Sequence, residues 1–152
     1  MDDGSYGTFR GYLPQYPAET VLTFLEMTND REKLALGAEA LRTGCGVGLS
    51  IAFYTKDKEP AGGHAITLWG YVRDKNDPDG FSYLVISDSD NDKMGQVDDR
   101  RSAPNTLQAV GLTTSALLGG ESWALSDYDT GDDTAILNEL NLLAPYSVDL
   151  PR

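Results

Sequence analysis

Residues 62–72 read Gly62-Gly63-His64-Ala65-Ile66-Thr67-Leu68-Trp69-Gly70-Tyr71-Val72, and residues 81–87 read Phe81-Ser82-Tyr83-Leu84-Val85-Ile86-Ser87. From Ala65 and from Phe81 onward both runs are rich in β-branched and aromatic residues, which pack well on a pleated, half-buried surface. Asn76-Asp77-Pro78-Asp79-Gly80 lies between them as a cluster of turn formers. The two runs therefore predict a hairpin whose first arm is a central strand. Ahead of it Val47, Leu49, Ile51 and Phe53 alternate at the period of another half-buried strand, and Lys56-Asp57-Lys58-Glu59-Pro60 turns the chain between the two. An antiparallel sheet is the expected centre of the fold.

Outward from that centre the pattern changes. Val21, Leu22, Phe24 and Leu25 fall at near-helical spacing within residues 18–28. Asn29 or Asp30 is placed to cap a second helix, with Leu34, Ala38 and Leu41 on its apolar stripe and its end at Thr43-Gly44. Gly37 argues against that helix, because a glycine in a helix interior costs about 1 kcal/mol relative to alanine. Downstream, residues 88–102 read as acidic and polar loop, 107–113 as another strand, and 134–143 as a closing amphipathic helix. Residues 1–17 hold glycines, prolines and aromatics in an irregular mixture that suits the inside of a domain. No repeat or low-complexity tract interrupts the chain. The expectation is one α+β unit, an antiparallel β-sheet with flanking helices.

At 152 residues with 40% hydrophobic composition, the chain has apolar material for one core. Its 24 acidic against 12 basic side chains give a net charge of -12, which disfavours a grip on phosphate backbones or anionic lipid. Neither nucleic acid nor membrane is an expected partner. The single cysteine, Cys45, rules out an internal disulfide. Residues 1–7 show no basic start leading into an apolar stretch, so no signal peptide is recognisable in these residues.

His64 is the only histidine, and imidazole is the side chain whose ordinary titration lies near neutrality. It stands directly before the central strand, after two small residues that would let a substrate backbone approach. The returning arm of the hairpin ends in Ser87-Asp88-Ser89-Asp90-Asn91-Asp92, which brings the Asp88 carboxylate back towards the imidazole. The same acidic run also suits a solvated loop or a calcium site. Against calcium, Lys93 takes the sixth position, where the twelve-residue loop needs glycine, and Asp99 takes the twelfth in place of glutamate. Trp69 reads as a large core residue, Trp123 is ambiguous, and Cys45 in Gly44-Cys45-Gly46 reads as a small packed residue at a strand start.

Gly63-His64-Ala65-Ile66 with Leu68-Trp69-Gly70-Tyr71 resembles the histidine strand of papain-like cysteine peptidases. With Leu84-Val85-Ile86-Ser87-Asp88-Ser89-Asp90, and upstream Ala40-Leu41-Arg42-Thr43-Gly44 and Gly48-Leu49-Ser50, it looks most like the immunoglobulin-degrading IdeS/Mac group. The resemblance covers roughly residues 30–95. It implies that this is the β-rich half of a two-part fold, with His64 as general base, Asp88 orienting its ring, and Asp90 in support. It implies a secreted enzyme acting on a protein substrate and no cofactor or metal. The family's nucleophile is a cysteine at a helix N-terminus, preceded by an oxyanion-hole glutamine, and the chain shows neither: Gln15 is followed by Tyr16-Pro17, and Cys45 stands at a strand mouth close ahead of His64. A preceding segment or a partner chain is expected to carry it. The alternative is a non-catalytic relative that binds a protein or a cation.

Overall fold

A computed structural model of the chain describes residues 7–8, 21–78, 80–88, 107–126, 128 and 131–144. Its strands are β1 (Gly7–Thr8), β2 (Val21–Glu26), β3 (Gly46–Tyr54), β4 (Pro60–Arg73), β5 (Phe81–Ser87), β6 (Gln108–Ser115), β7 (Ser122–Leu125) and β8 (Thr134–Ala144). Helix α1 (Leu34–Arg42) follows a 3-10 turn at Arg31–Lys33. All strand pairings are antiparallel, in the order β1-β2-β8-β3-β4-β5-β6-β7, and β8 also pairs with β7. Strands β3 to β8 therefore close on themselves as a six-stranded barrel, and β2 with β1 extends it as a flap.

Closure depends on β8 sharing one edge between two partners. Towards its C-terminus that edge pairs with β2, from Glu26↔Glu139 to Val21↔Ala144. Towards its N-terminus it pairs with β7, at Ala124↔Ile136 and Leu125↔Ala135. Between the two, the Met27 amide donates to the Asn138 carbonyl at 2.8 Å, so the edge stays satisfied across the handover. Inside, Val47, Leu49 and Ile51 of β3 meet Ile66 and Leu68 of β4, Leu84 and Ile86 of β5, and Leu137, Leu140 and Leu142 of β8 in one buried cluster.

Two expected helices are strands. The Thr134–Leu143 segment was expected to be helical, but it forms β8, where a bulge opposite Ser50 and Ile51 leaves Asn138 as the extra residue. The bulge changes the inward phase, so Leu137 and Leu140, three apart, both face the core. Residues 18–28 likewise were expected to be helical, but Val21–Glu26 is β2, held by pairing with a segment more than a hundred residues away. Local spacing carries no record of such a partner. The strand β7 was not anticipated either: all four of its residues are buried, which removes the alternation that marks a half-exposed strand.

The remaining helix forms as expected. Its C-terminus closes with the Cys45 amide donating to the Ala40 carbonyl and the Gly44 amide to Leu41, the paired bonds of a Schellman cap. Gly37 has a packing reason: a Cβ there would lie 2.8 Å from Leu140 Cδ1, so the missing side chain lets α1 settle against the barrel. Capping differs from expectation. Asp30 occupies the N-cap of the 3-10 turn, where its carboxylate caps no amide and pairs with Lys33 Nζ at 3.2 Å, and Asn29, at φ 60°, turns instead to the β6–β7 hairpin, accepting from the Gly120 amide at 3.0 Å.

The tryptophans divide. Trp123 is 4% exposed, edge-on to Phe81 at 6.2 Å, its Nε1 donating to the Arg31 carbonyl at 2.8 Å. Trp69, expected in the core, is 58% exposed, because Leu68 takes the inward position and Trp69 follows it onto the outer face. Its Nε1 donates to Ser87 Oγ at 2.8 Å. Trp123→Ala is expected to cost about 3–5 kcal/mol in chemical denaturation, whereas Trp69→Ala should cost less than about 1 kcal/mol.

Candidate active site

The central strand runs further back than the sequence pattern suggests, starting at Pro60. His64 therefore lies within β4 and not ahead of it. It pairs across β3 with Ile51 and shares its face with Ile66 and Leu68. On β5 the inward series Leu84, Ile86 continues into Asp88, one residue beyond the strand end. The register Thr67↔Ser87 sets Asp88 level with Ile66, one diagonal step from His64 on the same face. That step is within reach of an imidazole and a carboxylate, and His64 Nε2 lies 2.5 Å from Asp88 Oδ1.

Asp88 is one of two buried polar residues among those described, 9% exposed. A carboxylate taken out of water is costly unless its oxygens are bonded. Here each oxygen has a donor: His64 Nε2 at Oδ1, and the Tyr128 hydroxyl at Oδ2. Tyr128 lies between β7 and β8, and its ring is stacked on Phe53 of β3, with centroids 6.2 Å apart and planes 22° apart. With Nε2–H donated to the carboxylate, the neutral ring is the tautomer whose basic nitrogen is Nδ1. The arrangement can orient an imidazole and accompany it with a fixed negative charge when it takes a proton.

Gly63 serves the scaffold. A Cβ there would stand 2.9 Å from the Ile51 carbonyl oxygen, so glycine is what permits the close approach of β3 and β4 beside His64. Gly62, at φ 135°, is exposed next to it.

Of the residues singled out in the sequence, His64 and Asp88 are brought together, and Asp90 lies outside the described residues. So does the rest of the acidic run beyond Asp88 on which the calcium alternative depends. Among the described residues no group of three or more His, Cys, Asp or Glu side chains is arranged to hold a metal ion. Cys45 is buried at the start of β3, 4% exposed, with Sγ 3.7 Å from Thr43 Oγ1. It stands six positions along the chain from Ile51, the register partner of His64. At the rise of an extended strand that is roughly 20 Å, too far for proton exchange with the imidazole.

Tyr128 and Phe53 were not foreseen as site residues. Phe53 carried a strand signal, but Tyr128 sits among acidic residues with no periodicity, and its position follows from the closure of β7 onto β8. No family model matches the chain, and no curated protein or solved structure is significantly similar to it.

Two outcomes are expected. Asp88→Ala should destabilise the fold by about 1–3 kcal/mol, because it strands two donors at a buried position, and denaturation of the variant beside wild type measures it. Cys45 should resist a thiol reagent in the native chain and react only on the timescale of unfolding. Rapid native labelling would contradict the packed position.

Proposed function

We propose that this chain contributes the general base and the orienting acid of a secreted cysteine endopeptidase that hydrolyses peptide bonds of proteins. The observation that carries the reading is the 2.5 Å contact of His64 Nε2 with buried Asp88 Oδ1, formed by the only histidine of the chain. The resemblance of residues 30–95 to the IdeS/Mac group of papain-like peptidases supports it, as does the β-rich architecture.

In the proposed mechanism Nδ1 of His64 takes the proton of a cysteine thiol. The thiolate attacks the scissile carbonyl carbon, and the carbonyl π pair moves onto oxygen. When that pair returns, the C–N bond breaks, and the imidazolium gives its proton to the departing amine. Water, deprotonated by the same ring, then opens the thioester and frees the thiol. Asp88 keeps Nε2–H engaged throughout, so the ring neither rotates nor changes tautomer, and its charge accompanies the imidazolium. Asp90 is proposed in a supporting role. The nucleophile would arrive from outside these 152 residues, since Cys45 is buried and remote.

A second reading, a protein-binding module without catalysis, is favoured by one observation. Trp69, Val72, Tyr83 and Leu107 are exposed on the outer side of β4, β5 and the approach to β6, with Val72 and Tyr83 direct cross-strand partners.

The deciding experiment reads the coding sequence upstream of Met1 in frame and assays the longer product on an unfolded protein substrate. Cleavage should depend on a cysteine in the added segment, and His64→Ala should lower it by roughly 10²–10⁴-fold. Undiminished cleavage by His64→Ala would end the catalytic reading. A longer product that binds protein without cutting it would leave the binding module.

A further inference from the structure

Tyr128 has no part in the chemistry above, yet its hydroxyl is bonded to the carboxylate that holds the base. We propose that Tyr128 is a positioning residue, whose hydroxyl locks the Asp88 carboxylate in the rotamer that keeps His64 in its Nε2–H tautomer. The inference rests on the reading of His64 and Asp88 as base and orienting acid.

A carboxylate bonded through one oxygen can turn about Cβ–Cγ and exchange its oxygens. When each oxygen has its own donor, that turn breaks both bonds, and charge-assisted bonds of this kind are about twice as strong as neutral ones. Asp88 needs such a lock more than a residue inside a strand would, because it lies one position beyond β5, where ladder hydrogen bonding ends. The donor is itself anchored. Tyr128 stacks on Phe53, and Phe53 pairs with Gly62 on the same β3–β4 ladder that carries His64. The Ser126 amide donates to the Gly111 carbonyl at 2.9 Å, tying the approach to Tyr128 back to β6, the strand beside β5. Base, acid and tyrosine are thus each fixed to neighbouring strands of the barrel.

Because His64 is the only histidine, imidazole nitrogen NMR of the uniformly labelled 152-residue chain reports on this ring alone. In wild type at a pH where the ring is neutral, the expected signature is one tautomer, Nε2–H, with a low-field, slowly exchanging proton. Tyr128→Phe keeps the ring on Phe53 and removes the hydroxyl. It should melt as a folded protein, show a mixture of tautomers, and exchange the Nε2 proton about tenfold faster, the scale of one lost hydrogen bond to a charged group. A folded Tyr128→Phe with unchanged tautomer and exchange would overturn the positioning role and leave the His64–Asp88 pair intact. A wild-type ring without the Nε2–H signature would overturn the pair itself, and the inference with it.

Should Tyr128→Phe not fold, 3-fluorotyrosine incorporated at position 128 alone, one of eight tyrosines, gives the second measurement. Its more acidic hydroxyl donates more strongly to Asp88 and tightens the lock, so the Nε2 proton should exchange more slowly than in wild type. Unchanged exchange would overturn the proposal.

Discussion

A β-barrel closes only if its last strand can satisfy the first and the penultimate at once, and in this chain the whole arrangement hangs on how β8 does so. One edge of β8 runs beside β3 along almost its full length, while the other is divided between β7 and β2. The division needs a change of phase, and the bulge at Asn138 supplies it: Leu137 and Leu140 both reach the core although they are three residues apart. Without that step one half of β8 would turn its leucines to solvent, and β3 would lose half of its inner packing. The position of β3 in turn sets β4, and β4 sets where the end of β5 delivers Asp88.

The same constraint explains what was legible in the sequence. Elements whose signal is local were readable: the alternation of Val47, Leu49 and Ile51, the β-branched run of β4, the hairpin to β5, and the cap that ends α1 at Gly44. Elements whose conformation is decided by a distant partner were not. Val21–Glu26 has apolar spacing that also fits a helix and becomes a strand only because β8 lies beside it. The leucines of β8 mimic helical periodicity because a bulge falls among them. Trp69 shows a subtler limit, since size and apolarity favour the interior, but the pleat had already given the inward position to Leu68. Gly37, read as a fault in a helix, marks the place where helix and barrel touch.

The candidate site divides along the same line. His64 and Asp88 could be paired from the sequence because they sit on adjacent arms of one hairpin, so the geometry is a matter of register. Tyr128 belongs to the far side of the closure and is brought to Asp88 by β7 docking on β8. Its contact is therefore a product of the complete barrel. A buried carboxylate at the open end of a strand would pull water inward or drive the strand end outward unless both oxygens were occupied. The second donor is as much a condition of the fold as of any chemistry.

The strands that carry the site also divide the surface. The inward face of β4 is committed to His64, Ile66 and Leu68, and its outward face presents Trp69 and Val72. The exposed apolar side chains lie on the strands that carry the histidine and the aspartate, separated from them by one sheet thickness. The register shift between Leu68 and Gly70 falls at Trp69, where the two faces of β4 are sorted: Leu68 packs in the inward row that begins at His64, and its neighbour Trp69 stands outside. The outer face and the candidate site are thus two sides of the same pair of strands.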